Sequence, residues 1–224
     1  MFKMEYRYLI SATKIIKSIK DLGYCDELKD EWWWPNSGSF EVIIGAILTQ
    51  NTTWKNVEKS LHNLKTSNNL SLEKLSIIDI NQLEILIKPS GFFRQKSRYI
   101  KEISKNIIEE FNNFSNFKDS VEKDWLLSQK GIGHESADAI LNYACYKEAF
   151  VVDSYTDRLL RAFGYEFERY EDIQEWIVSD LYDGYQKIYP NLSRANAYAL
   201  SHGLIVEYVK NNSKRKVVDI TALL

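Results

Sequence analysis

Along this chain, apolar positions recur mostly at helical spacing. Residues 6–20 put Tyr8, Leu9, Ile15, Ile16 and Ile19 on one broad face, which predicts an amphipathic helix. "FEVIIGAILT", from Phe40 to Thr49, is apolar nearly all round and is expected to be buried, with Ser37 or Ser39 as its cap. "WKNVEKSLHNLK" (54–65) returns to a one-sided pattern. "SLEKLSII" opens at Ser71, and "INQLEILIK" (80–88) stops before Pro89, with Gly91 in the loop beyond. Residues 94–111 align Ile100, Ile103, Ile107 and Phe111 on one stripe. "NFKDSVEKDWLLSQ" leads into a break at Lys130-Gly131-Ile132-Gly133, after which a helix is expected over 134–146. Helices are expected again over 154–164, closed by Gly164, then 171–188 and 192–210. The tail "NNSKRKVVDITALL" is polar, then apolar, and is expected to pack weakly or fray. With about ten helices, no convincing strand and no repeat, the pattern is all-α and too segmented for a simple four-helix bundle.

Composition agrees with that reading. Nine glycines and three prolines in 224 residues, with 45% hydrophobic and 27% charged positions, suit a helical chain with a sizeable core. The net charge of −2 counts against nucleic acid as a partner but does not exclude it. Backbone N–H groups at a helix start can hold phosphate without a cationic side chain. Cys25 and Cys145 form no cluster and read as reduced thiols. No cysteine follows residue 145, so the C-terminal third cannot supply iron–sulfur ligands. The first twenty residues carry charges throughout and do not read as a signal peptide, and no apolar run is long enough to span a bilayer. A cytoplasmic protein with no membrane partner is expected.

The break between helices carries the chemistry. Gly131 and Gly133 allow backbone angles or approaches that a Cβ would forbid, and Ile132 between them can point inward to pin the turn. The helix beyond starts with free N–H groups, an anion site that fits a DNA phosphate. Taken alone, a Gly-x-Gly reads as a plain structural turn between core helices. Asp153 lies just beyond, and taken alone it reads as the N-cap of the helix beginning at Ser154.

"LLSQKGIGHESADAIL" followed by "VVDSYTDRL" together resemble the helix-hairpin-helix DNA glycosylase superfamily, the group that includes endonuclease III. "IIGAILTQNTTWKNVEKSL" (43–61) and "KPSGFFRQKSRYI" (88–100) are similar to two further segments of that family, so the resemblance runs over about residues 40 to 165 in order. It implies a two-lobed helical fold with the active site in a cleft between the lobes. One lobe would be 31–147, carrying the hairpin at 126–145, and the other 1–30 plus 148–224. It implies Asp153 as the catalytic carboxylate, a role compatible with capping, because a helix start keeps a carboxylate charged.

Two departures refine the resemblance. Where bifunctional members carry the lysine that forms an imine with the sugar, this chain has Glu135. That implies base removal by water, without a lyase step. The four-cysteine cluster of many members is absent, so no cofactor is expected. The exception is a monovalent cation at the hairpin carbonyls of Gln129, Gly131 and Gly133. "EWWWPN" (31–36) is a further feature. Adjacent residues on a helix diverge, so the three tryptophans cannot share one face. Trp33, Trp34 and Pro35, with Trp54, are expected to line an aromatic slot for a flipped base, although packing in the core accounts for at least one of them. This resembles the 3-methyladenine branch of the superfamily. A base methylated at N3 is cationic, and aromatic faces attract cations.

Further roles follow from the resemblance. Gln50 would fill the gap in the duplex, or simply end its helix. Phe93 and Arg94, after Phe92, would wedge the opposite strand. Gly131, Ile132, Gly133, His134, Glu135 and Ser136 would present the hairpin to phosphate. Lys210 would reach the pocket, unless it is a plain solvated lysine. The partner implied is double-stranded DNA with a flipped damaged base, bound by a monomer associated with a bacterial nucleoid. The rivals are a bifunctional endonuclease III-like glycosylase with lyase activity, a helix-hairpin-helix binding module without catalysis, and a helical scaffold with no DNA role.

Overall fold

In this computed structural model, residues 10–26 and 30–224 are described, and half of the described α-helices open where a polar side chain satisfies a free N–H. Ser11 Oγ accepts from Lys14 N at the start of α1 (Ala12–Asp21). Ser71, Asp79, Asn113 and Ser193 do the same for α4 (Leu72–Ile77), α5 (Ile80–Leu86), α7 (Phe114–Ser120) and α12 (Arg194–Asn211). Ser39 precedes α2 (Phe40–Thr49), but its hydroxyl donates to Asn36 O instead of capping. The remaining helices are α3 (Trp54–Thr66), α6 (Phe93–Phe111), α8 (Lys123–Ser128), α9 (His134–Ala139), α10 (Ser154–Ala162) and α11 (Tyr170–Gly184). The positions of Tyr8 and Leu9, expected on the face of α1, lie outside the described residues.

The chain divides into two compact units. One comprises Met1–Trp33 and Glu148–Leu224, the other Trp34–Lys147. In the first, Ile15, Ile16 and Ile19 of α1 pack with Leu159 and Leu160 of α10 and Phe163 at its end, Ile173, Ile177 and Leu181 of α11, and Leu204, Ile205 and Val209 of α12. In the second, α2 is central: Val42, Ile43, Ile44, Ile47 and Leu48 are wholly buried, as its all-round apolar pattern requires. The stripe Ile100, Ile103 and Ile107 of α6 is buried as well. Each such side chain contributes roughly 1.5–3 kcal/mol relative to exposure.

After Asn113 the chain forms two helices, because Val121 turns it between α7 and α8. The structure corrects two expectations. The second hairpin helix keeps α geometry only to Ala139. Ile140–Ala144 then widen into a π turn, with Cys145 N donating to Ile140 O at 3.1 Å. The tail neither frays nor lacks strands. β1 (Ser213–Lys214) pairs antiparallel with β2 (Val217–Val218), and Val218 and Leu223 are buried in the first unit's core. The turn uses Arg215 and Lys216, both at positive φ, a hairpin geometry usually signalled by Asn-Gly. Among the described residues no helix is long and apolar enough to cross a membrane.

Candidate active site

Asp153 is the N-cap of α10, and its two carboxylate oxygens have separate tasks. Oδ1 accepts from Tyr155 N at 2.9 Å, Thr156 N at 2.9 Å and Thr156 Oγ1 at 3.1 Å. Oδ2 lies 3.5 Å from His202 Nε2 on α12. The Asp153 side chain is 13% exposed and that of His202 4%. Burial is the largest influence on this carboxyl and pushes its pKa up. The contacts with His202 and Thr156 together outweigh it and hold the group below its ordinary value of 3.8. A carboxylate in this setting is charged at neutral pH.

Around it stand the rings of Trp33 and Tyr155 and the ammonium of Lys210. Trp33, at φ +67°, meets His202 edge-on, with centroids 5.3 Å apart and planes at 88°. A Cβ at Gly203 would fall 2.4 Å from the Trp33 ring, so α12 is glycine there because the indole lies against it. Lys210 Nζ is 5.9 Å from the Trp33 centroid and 5.8 Å from that of Tyr155. Asp153, Trp33 and Lys210 were candidates from the sequence. Tyr155, His202 and Gly203 were not. An isolated glycine inside a helical pattern is the one available signal, since it points to close packing.

The hairpin belongs to the other unit. Gly131 takes φ +83°, and a Cβ there would meet the Tyr99 ring at 2.1 Å. Ile132 is buried between the glycines. Gly133, the N-cap of α9, differs: its φ is −99°, it is exposed, no side chain caps the helix, and a Cβ would meet nothing within 4 Å. His134 and Glu135 open α9, and Glu135 is exposed. Gln50 Nε2 donates to Gly131 O at 2.8 Å and to Ser136 Oγ at 3.0 Å, so the Gln50 side chain braces the hairpin. Trp34 is packed against Gly45 and Tyr143 and meets Trp54 edge-on at 5.4 Å, while Pro35 is exposed. Trp33 and Trp34 thus fall in different units, as their divergence in sequence allows. In the loop before α6, Phe92 is the exposed ring, at 65% and φ +44°. Phe93 is half-buried with Arg94 over it at 5.9 Å.

The pattern that defines the HhH-GPD superfamily of base excision DNA repair proteins matches residues 44–177, which contain both the hairpin and Asp153. The chain belongs to that superfamily. It is 37% identical over 194 residues to a Methanocaldococcus jannaschii protein provisionally named a DNA repair glycosylase, covering 83% of each chain. The H. pylori 3-methyladenine DNA glycosylase MagIII, solved with 1,N6-ethenoadenine, is 41% identical with a TM-score of 0.87, covering 92% of this chain and all of that one. An endonuclease III–DNA complex is 17% identical with a TM-score of 0.69, over 92% of this chain and 89% of that one, and shares the fold. As an HhH-GPD protein, this chain is a DNA glycosylase of base excision repair.

The resemblance raises two inorganic groups, an iron–sulfur cluster and a monovalent cation. Four thiolates for an iron–sulfur cluster do not exist in it, since Cys25 and Cys145 are its cysteines and they fall in different units. A monovalent cation at the hairpin fits the donor chemistry better. Gln129 O accepts from Ile132 N, Gly131 O from Gln50 and Gly133 O from Ala137 N, which leaves each carbonyl a second lone pair.

Proposed function

We propose that this glycosylase hydrolyses the N-glycosidic bond of alkylated purines, 3-methyladenine foremost, and leaves the strand intact. The observation that carries the reading is Asp153: a charged, nearly buried carboxylate whose Oδ1 is committed to its helix while Oδ2 stands free of backbone bonds beside His202. The C1′–N bond breaks with its electron pair going to the base, so a cationic N3-methylated base leaves neutral and needs no acid catalyst. Asp153 stabilises the positive sugar, water adds at C1′, and its proton passes to the carboxylate or to solvent. Trp33, Tyr155 and Lys210 bound the ligand end of this unit. The aromatic faces favour a cationic base, by roughly 0.5–2 kcal/mol each.

The likeness to MagIII supports the substrate class. Exposed Glu135, standing where lyases carry an amine, supports hydrolysis alone, because a carboxylate cannot form an imine. Open space at Gly133 supports phosphate contact at α9, and a monovalent cation on the Gln129, Gly131 and Gly133 carbonyls would add positive charge there. The test is chromatography of bases freed from methylated duplex by wild type and Asp153→Asn, with the strands run on a gel with and without alkali. Free 3-methyladenine from wild type only, with breaks only after alkali, sustains the proposal. Breaks without alkali establish the lyase reading. Duplex binding with no base released establishes a binding module or another lesion.

A further inference from the structure

Lys96 is the most buried lysine described, 3% exposed, yet no carboxylate pairs with it among the described residues. Its ammonium has three donors and meets three oxygens: Leu48 O at 2.8 Å, Ser90 O at 2.9 Å and Thr52 Oγ1 at 3.0 Å. An ammonium buried without an anion is costly unless every donor is used, so the arrangement calls for a reason beyond packing. The three acceptors supply one. Leu48 O belongs to the last turn of α2, where carbonyls lack helical partners. Thr52 lies in the turn carrying Gln50, and its hydroxyl also donates to Ser90 O. Ser90 directly precedes Gly91 and the exposed Phe92. Gln50, held in that same turn, bonds Gly131 O and Ser136 Oγ of the hairpin. Hydrogen bonds joined by short stretches of backbone therefore connect the Phe92 loop through Lys96 to the Gln50 turn and on to the hairpin, all inside one unit.

We propose that Lys96 is a positioning residue, whose ammonium holds the Phe92 loop in register with the hairpin so that duplex opened at a damaged nucleotide is gripped by both together. The inference rests on the chain acting as a DNA glycosylase. Intact duplex needs only the hairpin's phosphate contact. Duplex opened at a lesion engages the exposed aromatic loop as well, and only that second contact depends on the register Lys96 sets.

The experiment compares affinities for intact duplex and for the same duplex bearing a tetrahydrofuran abasic-site analogue, in wild type, Lys96→Met and Lys101→Met. Lys101 lies on the same helix and donates to Ile78 O, away from this network. Wild type is expected to prefer the abasic duplex. Lys96→Met loses that margin by about tenfold while binding intact duplex within about twofold, and Lys101→Met behaves as wild type. A general loss of structure would weaken both duplexes together and would not move the margin. Should Lys96→Met not fold, Thr52→Val removes one acceptor and is expected to reduce the margin about threefold. A variant that keeps the wild-type margin overturns the inference alone. Wild type with no margin at all overturns the functional reading and the inference with it.

Discussion

Among the helices that begin within the stretch matching the superfamily, α9 and α10 treat their free N–H groups in opposite ways. At α10 the chain supplies its own anion: Asp153 takes two backbone N–H groups and a hydroxyl, and the start is nearly buried. At α9 the cap is Gly133, exposed and with no capping side chain of its own, and open space lies where a Cβ would stand. The same electrostatics governs both, since a helix start favours negative charge. The first uses it to keep a carboxylate ionised where burial would protonate it. The second stays open, and in the function proposed above it is the start that receives a phosphate of the duplex.

The largest effect should come from removing the charge at the first start while keeping the cap. Asparagine caps about as well as aspartate, so Asp153→Asn should keep the helix start and lower thermal stability only by the small contribution of the charge. Single-turnover base release should fall about 10²–10³-fold, the range for losing one electrostatic stabiliser of a transition state. If release fell only as far as Tm did, Asp153 would be a cap and nothing more.

How much of this contrast was legible in the sequence follows from which interactions are local. The N-cap at Asp153, the glycine break and the buried α2 depend on neighbours a few residues apart, and their patterns show in a single chain. His202 is different: nothing in "SHG" inside a helix announces that Nε2 will stand beside Oδ2 of Asp153, because the pairing is made by the packing of α12 against α10. Trp33 and Gly203 likewise explain one another only once both are placed. Lys96 sits near the start of an amphipathic helix among charged residues, where lysine ordinarily means solvent. Its burial follows from oxygens supplied by two other segments. The β1–β2 turn was hidden because Arg215-Lys216 is not a sequence that advertises positive φ.

The two hairpin glycines sharpen the comparison inside α9's own turn. Gly131→Ala would force a left-handed backbone on a Cβ and drive it into Tyr99, so the expected loss is about 2–4 kcal/mol, read as a fall in Tm on the order of 10 °C. Gly133→Ala meets neither obstacle. Its Tm should hold or rise by the equivalent of up to ~1 kcal/mol, since alanine restricts the unfolded chain. Affinity for duplex should still fall about tenfold, as a methyl group keeps phosphate from the backbone. A Gly133→Ala protein that binds duplex like wild type would show that this helix start is not the phosphate contact.

The smallest effect concerns pH. The folded pKa of Asp153 lies below 3.8, so the fold binds this proton less readily than the unfolded chain does. Its charge therefore adds stability that is fully present above the unfolded value and is lost as pH falls through the folded one. Stability curves of wild type and Asp153→Asn, measured from neutral pH downward, should keep a constant gap until below pH 3.8 and then converge. The acid limb of wild-type base release should lie in that same low range, unlike that of an enzyme whose carboxylate must be protonated to act. A limb near neutrality would mean that the rate follows another group.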